Sequence, residues 1–151
     1  MTFSFDQLRM SFIEGLQAIP STLLLIVVPF IVSSVVALLI VAIRLARVPV
    51  LVQVVSFLLA VQRGIPLYLF ILLGHVVYLV YFNQFVTALH LSIRVDDVNI
   101  LFVAAFIISW AFVPMFTETY WGAVLAVPQG QYEAGEVVGL TRWQILRRLV
   151  F

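Results

Sequence analysis

The chain has 151 residues, of which 64% are apolar, 14% aromatic and only 10% charged, a balance that excludes an ordinary soluble domain and reads as an integral membrane protein. The net charge of +1 carries no message about nucleic acid, and no basic run supports such a partner. The absence of cysteine removes disulfides, thiolate metal ligands and cysteine nucleophiles.

Residues 1–18 read as an N-terminal amphipathic segment. Phe3 to Gln17 mixes apolar residues with Asp6, Arg9 and Glu14, as an interfacial helix does. It lacks the basic region and small-residue cleavage site of a secretory signal peptide. A membrane-spanning region is expected over 19–127. No charge occurs between Glu14 and Arg44, and Pro20 to Ile43 is almost continuously apolar, long enough for a first crossing. Pro20 suits a first helical turn and Pro29 falls inside the span.

Val48 to Gln62 is too short to cross alone, at about 22 Å as a helix. Arg63-Gly64-Ile65-Pro66 breaks it, and Leu67 to Phe82 is apolar again. Either residues 48–82 make two crossings or one broken crossing, and charge decides. One broken crossing, followed by a third span from about Val98 to Thr117, puts Arg44, Arg47, Arg142, Arg147 and Arg148 on one side. Two crossings would place the last three opposite the first two, against the positive-inside rule. The expected topology has the N-terminus outside, Arg44–Val48 as a cytoplasmic loop, Asn83–Asp97 as an external loop, and 128–151 in the cytoplasm.

Residues 128–151 read as two short helices turned on a glycine. Gln131 to Val138 suffices for about two turns, with Glu133 in the first turn, where a carboxylate meets the positive end of the dipole. Gly139 suits a left-handed C-terminal cap. Thr141-Arg142-Trp143-Gln144 reads as a capping box opening the second helix.

Glu133-Ala134-Gly135, Gly139 after three intervening residues, and Leu149-Val150-Phe151 after nine more resemble the EAA signature, E-A-A-x3-G-x9-I-x-L-P, of permease subunits of bacterial ABC importers. Gly135 stands for the second Ala, Leu149 and Phe151 are apolar substitutes, and the closing Pro is not reached. Gln62-Arg63-Gly64-Ile65-Pro66-Leu67 resembles the F-R-G-T-P-L block of the polar amino acid branch. Ile19 to Leu23 resembles its entry to the first span. Glu118, Gly122 and then Val127-Pro128-Gln129-Gly130-Gln131-Tyr132-Glu133-Ala134 resemble A-E-x-x-R-G-G-x-x-x-V-P-K-G-Q-W-E-A, with Trp121 in place of the Arg and Ala123 in place of the second Gly.

The resemblance implies an all-α membrane protein like the transmembrane domain of a type I ABC importer. It would have about three transmembrane helices, the second broken, plus a cytoplasmic coupling helix. The 1–151 permease domain would be partial, because family members continue with further spans. In such a protein Gln131, Tyr132, Glu133, Ala134, Gly135, Val138, Gly139, Leu140, Thr141 and Arg142 would contact the ATPase subunit. Arg63, Gly64, Pro66 and Glu118 would belong to the substrate path.

The implied partners are a cytoplasmic ABC ATPase subunit, an extracytoplasmic substrate-binding protein, and a second permease copy or sister permease. The implied location is the bacterial inner membrane, as a multi-pass protein. This chain itself would bind no cofactor, since ATP and Mg belong to the ATPase. The alternatives are a truncated remnant without transport activity, motivated by the stop at Phe151, and a permease of the methionine-type branch, which VPQGQYEA disfavours.

Read from the residues themselves, Arg63 is either a contact for substrate carboxylate at a broken helix or a snorkelling side chain. Glu118 is either a gate or packing residue, or an interfacial one. His75 and His90 lack a second ligand, so no metal site is expected. Ser109 and Trp110 suit packing and interfacial anchoring. Nothing in the chain pairs a nucleophile with a base, so no catalytic residue is assigned.

Overall fold

A computed structural model describes residues 5–149, without the side chains of Arg142, Leu146 and Leu149. Phe3, Val150 and Phe151 lie outside the described residues. The described chain is all-helical: α1 (Phe5–Gln17), α2 (Ile19–Leu45), α3 (Pro49–Arg63), α4 (Leu67–Ala88), a 3-10 turn (Val95–Asp97), α5 (Ile100–Leu125), α6 (Gln129–Val137) and α7 (Arg142–Leu149).

Among the described residues three stretches are long and apolar enough to cross a membrane, namely Phe5–Leu45, which contains α1 and α2, then α4 and α5. Pro20 lies in the first turn of α2, and Pro29 and Pro114 lie within α2 and α5, which run on through them. Buried hydroxyls in the long helices bond back to their own helix. Ser109 donates to the Ala105 carbonyl at 2.6 Å, Thr117 to Val113 at 2.8 Å, and Ser33 to Pro29. Each thereby removes a polar group that would be costly in hydrocarbon.

The break expected at residues 63–66 is present. α3 ends at Arg63, and α4 opens at Leu67 behind Pro66 (φ −53°, ψ 137°). The helix after the break is longer than the sequence reading gave it. It continues through Asn83 and Gln84 to Ala88, and its 22 residues suffice for a crossing without help from α3. The loop expected over 83–97 therefore shrinks to a short connection ending in the 3-10 turn. Likewise Arg44 and Leu45 still belong to α2, and the following connection is only Ala46–Val48.

The chain divides into two compact units. The first comprises residues up to Ser33 together with Gln62–Phe112. Here α4 and α5 meet at Gly74, where an added Cβ would lie 2.8 Å from Ile107 Cγ2, so only glycine admits the approach. The 3-10 turn is fastened back to α4: the Tyr78 hydroxyl donates to the Val95 carbonyl at 2.9 Å, and Asn83 Oδ1 accepts the Val95 N–H at 2.9 Å. Gln62 donates its side-chain N–H to the Trp110 carbonyl.

The second unit comprises Ser34–Val61 and the residues from Val113 onward. Its apolar centre is Val41 of α2 against Val124 of α5, 2% and 6% exposed, with Leu45, Tyr120, Trp121 and Tyr132 packed around them. The C-terminal ends of α2 and α5 therefore lie side by side. The Tyr120 hydroxyl donates to Ser34 Oγ at 3.0 Å and adds a polar tie between the same two helices.

Candidate functional site

The α6–α7 pair carries the motif, and its shape follows from three local devices. α6 closes in a Schellman motif: the Gly139 N–H donates to the Glu136 carbonyl at 3.0 Å and the Leu140 N–H to the Gly135 carbonyl at 2.9 Å. That geometry requires a left-handed residue, and Gly139 supplies φ 79°. The capping box then starts α7. The Thr141 N–H donates to Gln144 Oε1 at 2.8 Å, and the Gln144 N–H donates to Thr141 Oγ1 at 3.3 Å.

The third device was not legible in the motif. Ile145 of α7 is 1% exposed and sits directly on Gly135, where a Cβ would lie 2.6 Å from both Cγ1 and Cδ1 of Ile145. The missing methyl at the second Ala of the motif is thus replaced by an isoleucine from the next helix.

One sequence expectation fails here. α6 begins at Gln129 behind Pro128, not at Gln131, so Glu133 lies in the second turn. The dipole acts mainly within the first turn, so that argument for Glu133 lapses. The Glu133 carboxylate instead accepts the Gln129 side-chain N–H at 2.9 Å. Of the other residues proposed for contact, Gln131, Glu133, Ala134, Val138 and Gly139 are exposed, as is Thr141, whereas Tyr132 and Leu140 are half-buried and Gly135 is buried. Arg142 opens α7, and its side chain lies outside the described residues. Val137, Val138 and Trp143 leave 87%, 72% and 61% of their surface exposed on the segment that follows α5.

The substrate-path candidates do not fall in one unit: Arg63, Gly64 and Pro66 belong to the first and Glu118 to the second. Arg63 is exposed in the last turn of α3, where a cation complements the helix dipole. Glu118 ties two helices, accepting from Arg44 Nη2 of α2 at 3.1 Å. The Arg44 guanidinium carbon lies 5.6 Å from the centroid of the Trp121 ring. Trp121 thus meets a cation from another helix at the position where the family pattern carries its own. A cleft of about 790 Å³ includes Arg44 and Trp121 in its lining, together with Arg47, Tyr132, Glu133 and Glu136.

A segment of 62 residues is 40% identical to the histidine/lysine/arginine/ornithine transport system permease protein HisQ of Salmonella typhimurium, and equally to that of Escherichia coli K12. The chain is a partial homologue of these permease proteins. The matched segment is 40% of this chain and 27% of each relative, so the match spans about a quarter of the relatives' length. No family model matches the chain, and no solved structure matches it.

Proposed function

We propose that the chain is a membrane-spanning permease subunit of an ATP-binding-cassette importer for polar amino acids, located in the bacterial inner membrane. α6–α7 is its cytoplasmic coupling element. An ATPase subunit, which binds the ATP and Mg, docks on that element. An extracytoplasmic binding protein delivers substrate to a pair of permease subunits. The observation that carries this reading is the α6–α7 pair itself, closed on Gly139 and packed through Gly135 and Ile145. Its apolar residues Val137, Val138 and Trp143 are left exposed on a segment after α5 whose helices are too short to cross a membrane. The partial homology to amino acid permeases supports the same reading.

Topology supports it as well. The C-terminal ends of α2 and α5 lie side by side at Val41 and Val124, and two spans that end on the same side of the membrane need an odd number of crossings between them. α4 supplies one, while α3, with 15 residues, is too short. The arginines after α2 and those of α7 then share the positively charged cytoplasmic side.

The test is capture of an ABC ATPase encoded beside the permease. The wild-type chain should co-purify with it from detergent-solubilised membranes. Gly139→Val should insert normally but lose most of that capture, because a β-branched residue resists φ 79°. Equal capture by both proteins, or none by the wild type, refutes the assignment.

A further inference from the structure

We propose that Arg44 is a positioning residue that fastens the ends of α2 and α5 to each other and to α6, so that displacement of the α6–α7 pair moves both long helices as one body. That displacement is meaningful only under the importer reading above. The fastening itself rests on geometry alone.

Arg44 stands in the last turn of α2, and its side chain is only 10% exposed. It has two anchors on α5. Its Nη2 donates to Glu118 Oε1 at 3.1 Å, and its guanidinium lies over the Trp121 ring. Glu118 and Trp121 are three residues apart on one helix and so share a face, which lets a single side chain engage both. A carboxylate contact at the edge and a ring contact at the face constrain the guanidinium in two directions. One resists sliding of α2 along α5 and the other resists rotation. A lysine ammonium, a point charge without a plane, cannot reproduce the second.

One helical turn before Arg44 is Val41, and one turn beyond Trp121 is Val124, the buried pair of this unit. Tyr132 of α6 packs against that pair, and only Ala126, Val127 and Pro128 separate α5 from α6. A push on α6 therefore reaches the α2–α5 junction through Tyr132 and through a three-residue link. Without Arg44 the same push could slide α5 past α2.

The tie can be read in the isolated full-length chain. Its cysteine-free background allows spin labels at Ala46→Cys and Val137→Cys, both exposed. In nanodiscs the label-to-label distance distribution should broaden in Arg44→Gln and narrow again in the charge-exchanged double variant Arg44→Glu/Glu118→Arg. An unchanged distribution in Arg44→Gln overturns the proposal, and this arm does not depend on any ATPase.

The second arm uses the permease purified with its captured ATPase in proteoliposomes. Arg44→Gln should retain capture within twofold and continue to hydrolyse ATP, while transport per ATP falls at least tenfold. Arg44→Lys should recover only part of the ratio. Capture lost in step with transport would mean that Arg44 merely maintains the fold, and a wild-type transport ratio in Arg44→Gln would remove it from coupling. Failure of the wild type to capture any ATPase would instead refute the importer reading, leaving the distance measurement to decide the tie.

Discussion

In Gly135→Ala, the added Cβ would stand 2.6 Å from Cγ1 and Cδ1 of Ile145. Non-bonded carbons prefer about 3.5–4.0 Å, so the overlap is about 1 Å. Ile145 cannot swing its terminal methyl clear, because Cγ1 is one bond nearer the backbone and the side chain is 1% exposed. Relief must come from α7 backing away from α6. Overpacking of this kind costs about 1–3 kcal/mol. Against it, alanine gains about 0.5–1 kcal/mol over glycine inside a helix. At mid-range the steric term wins, for a net loss of about 1 kcal/mol within limits of about 0–2.5 kcal/mol, or about a fivefold increase in local opening.

The amides of Gly139 and Leu140 report that opening, since they donate to the Glu136 and Gly135 carbonyls that close α6. Hydrogen exchange of the chain in nanodiscs should show both less protected in Gly135→Ala by that factor. Ile145→Ala alone should also lose protection, through the cavity it leaves. In the double variant the alanine methyl at 135 occupies part of that cavity, so the two losses should sum to less than their separate values by about 0.5–3 kcal/mol. Protection in Gly135→Ala equal to or above wild type would refute the argument. It would mean that the motif alanine is preferred here as elsewhere, and that Ile145 yields.

His90 closes α4 with φ 57°, in a Schellman arrangement where the Leu91 N–H donates to the Val86 carbonyl at 2.9 Å. A left-handed non-glycine residue costs about 1–2 kcal/mol, so His90→Gly should slow exchange of the Leu91 amide by about fivefold or more; faster exchange would show that the histidine is not strained. For topology, single cysteines at Ala46 and Ser92 should react with a membrane-impermeant maleimide from opposite faces. Reaction from one face would mean an even number of crossings between α2 and the 3-10 turn, and the cytoplasmic placement of α6–α7 would fall with it.

The long helices were legible because continuous apolar runs bounded by charge leave few alternatives in hydrocarbon. Gly139 and Thr141–Gln144 were legible because their geometries are local and each admits few residue types. Helix limits were harder. Asn83 and Gln84 looked like the end of an apolar run, yet polar residues cost a helix nothing where it leaves the hydrocarbon, and α4 continues to Ala88. The helix expected from Gln131 starts at Gln129, because one glycine in a first turn is a small penalty and Pro128 sets the start of α6. The Arg44–Glu118 pair spans 74 positions and depends on the C-terminal ends of α2 and α5 lying side by side, which no local pattern encodes.

Two of the departures from the family pattern, at Gly135 and Trp121, have the same physical answer. At Gly135 the motif lacks a methyl, and Ile145, one helix later, fills the space to within 2.6 Å of where it would be. At Trp121 the pattern lacks a cation, and Arg44, one span earlier, brings a guanidinium over the ring and onto Glu118. In both cases the volume or charge is supplied from a neighbouring helix, so what the position requires is an occupied space or a balanced charge and not a particular residue. The compensation has a cost in independence. Gly135 now constrains Ile145 and Trp121 constrains Arg44, so reverting either position alone to the family residue should harm the protein, by crowding at 135 and by a second arginine beside Arg44 at 121. Only paired reversion relieves both conflicts, and the double-variant exchange measurement at Gly135 and Ile145 is the direct reading of that dependence.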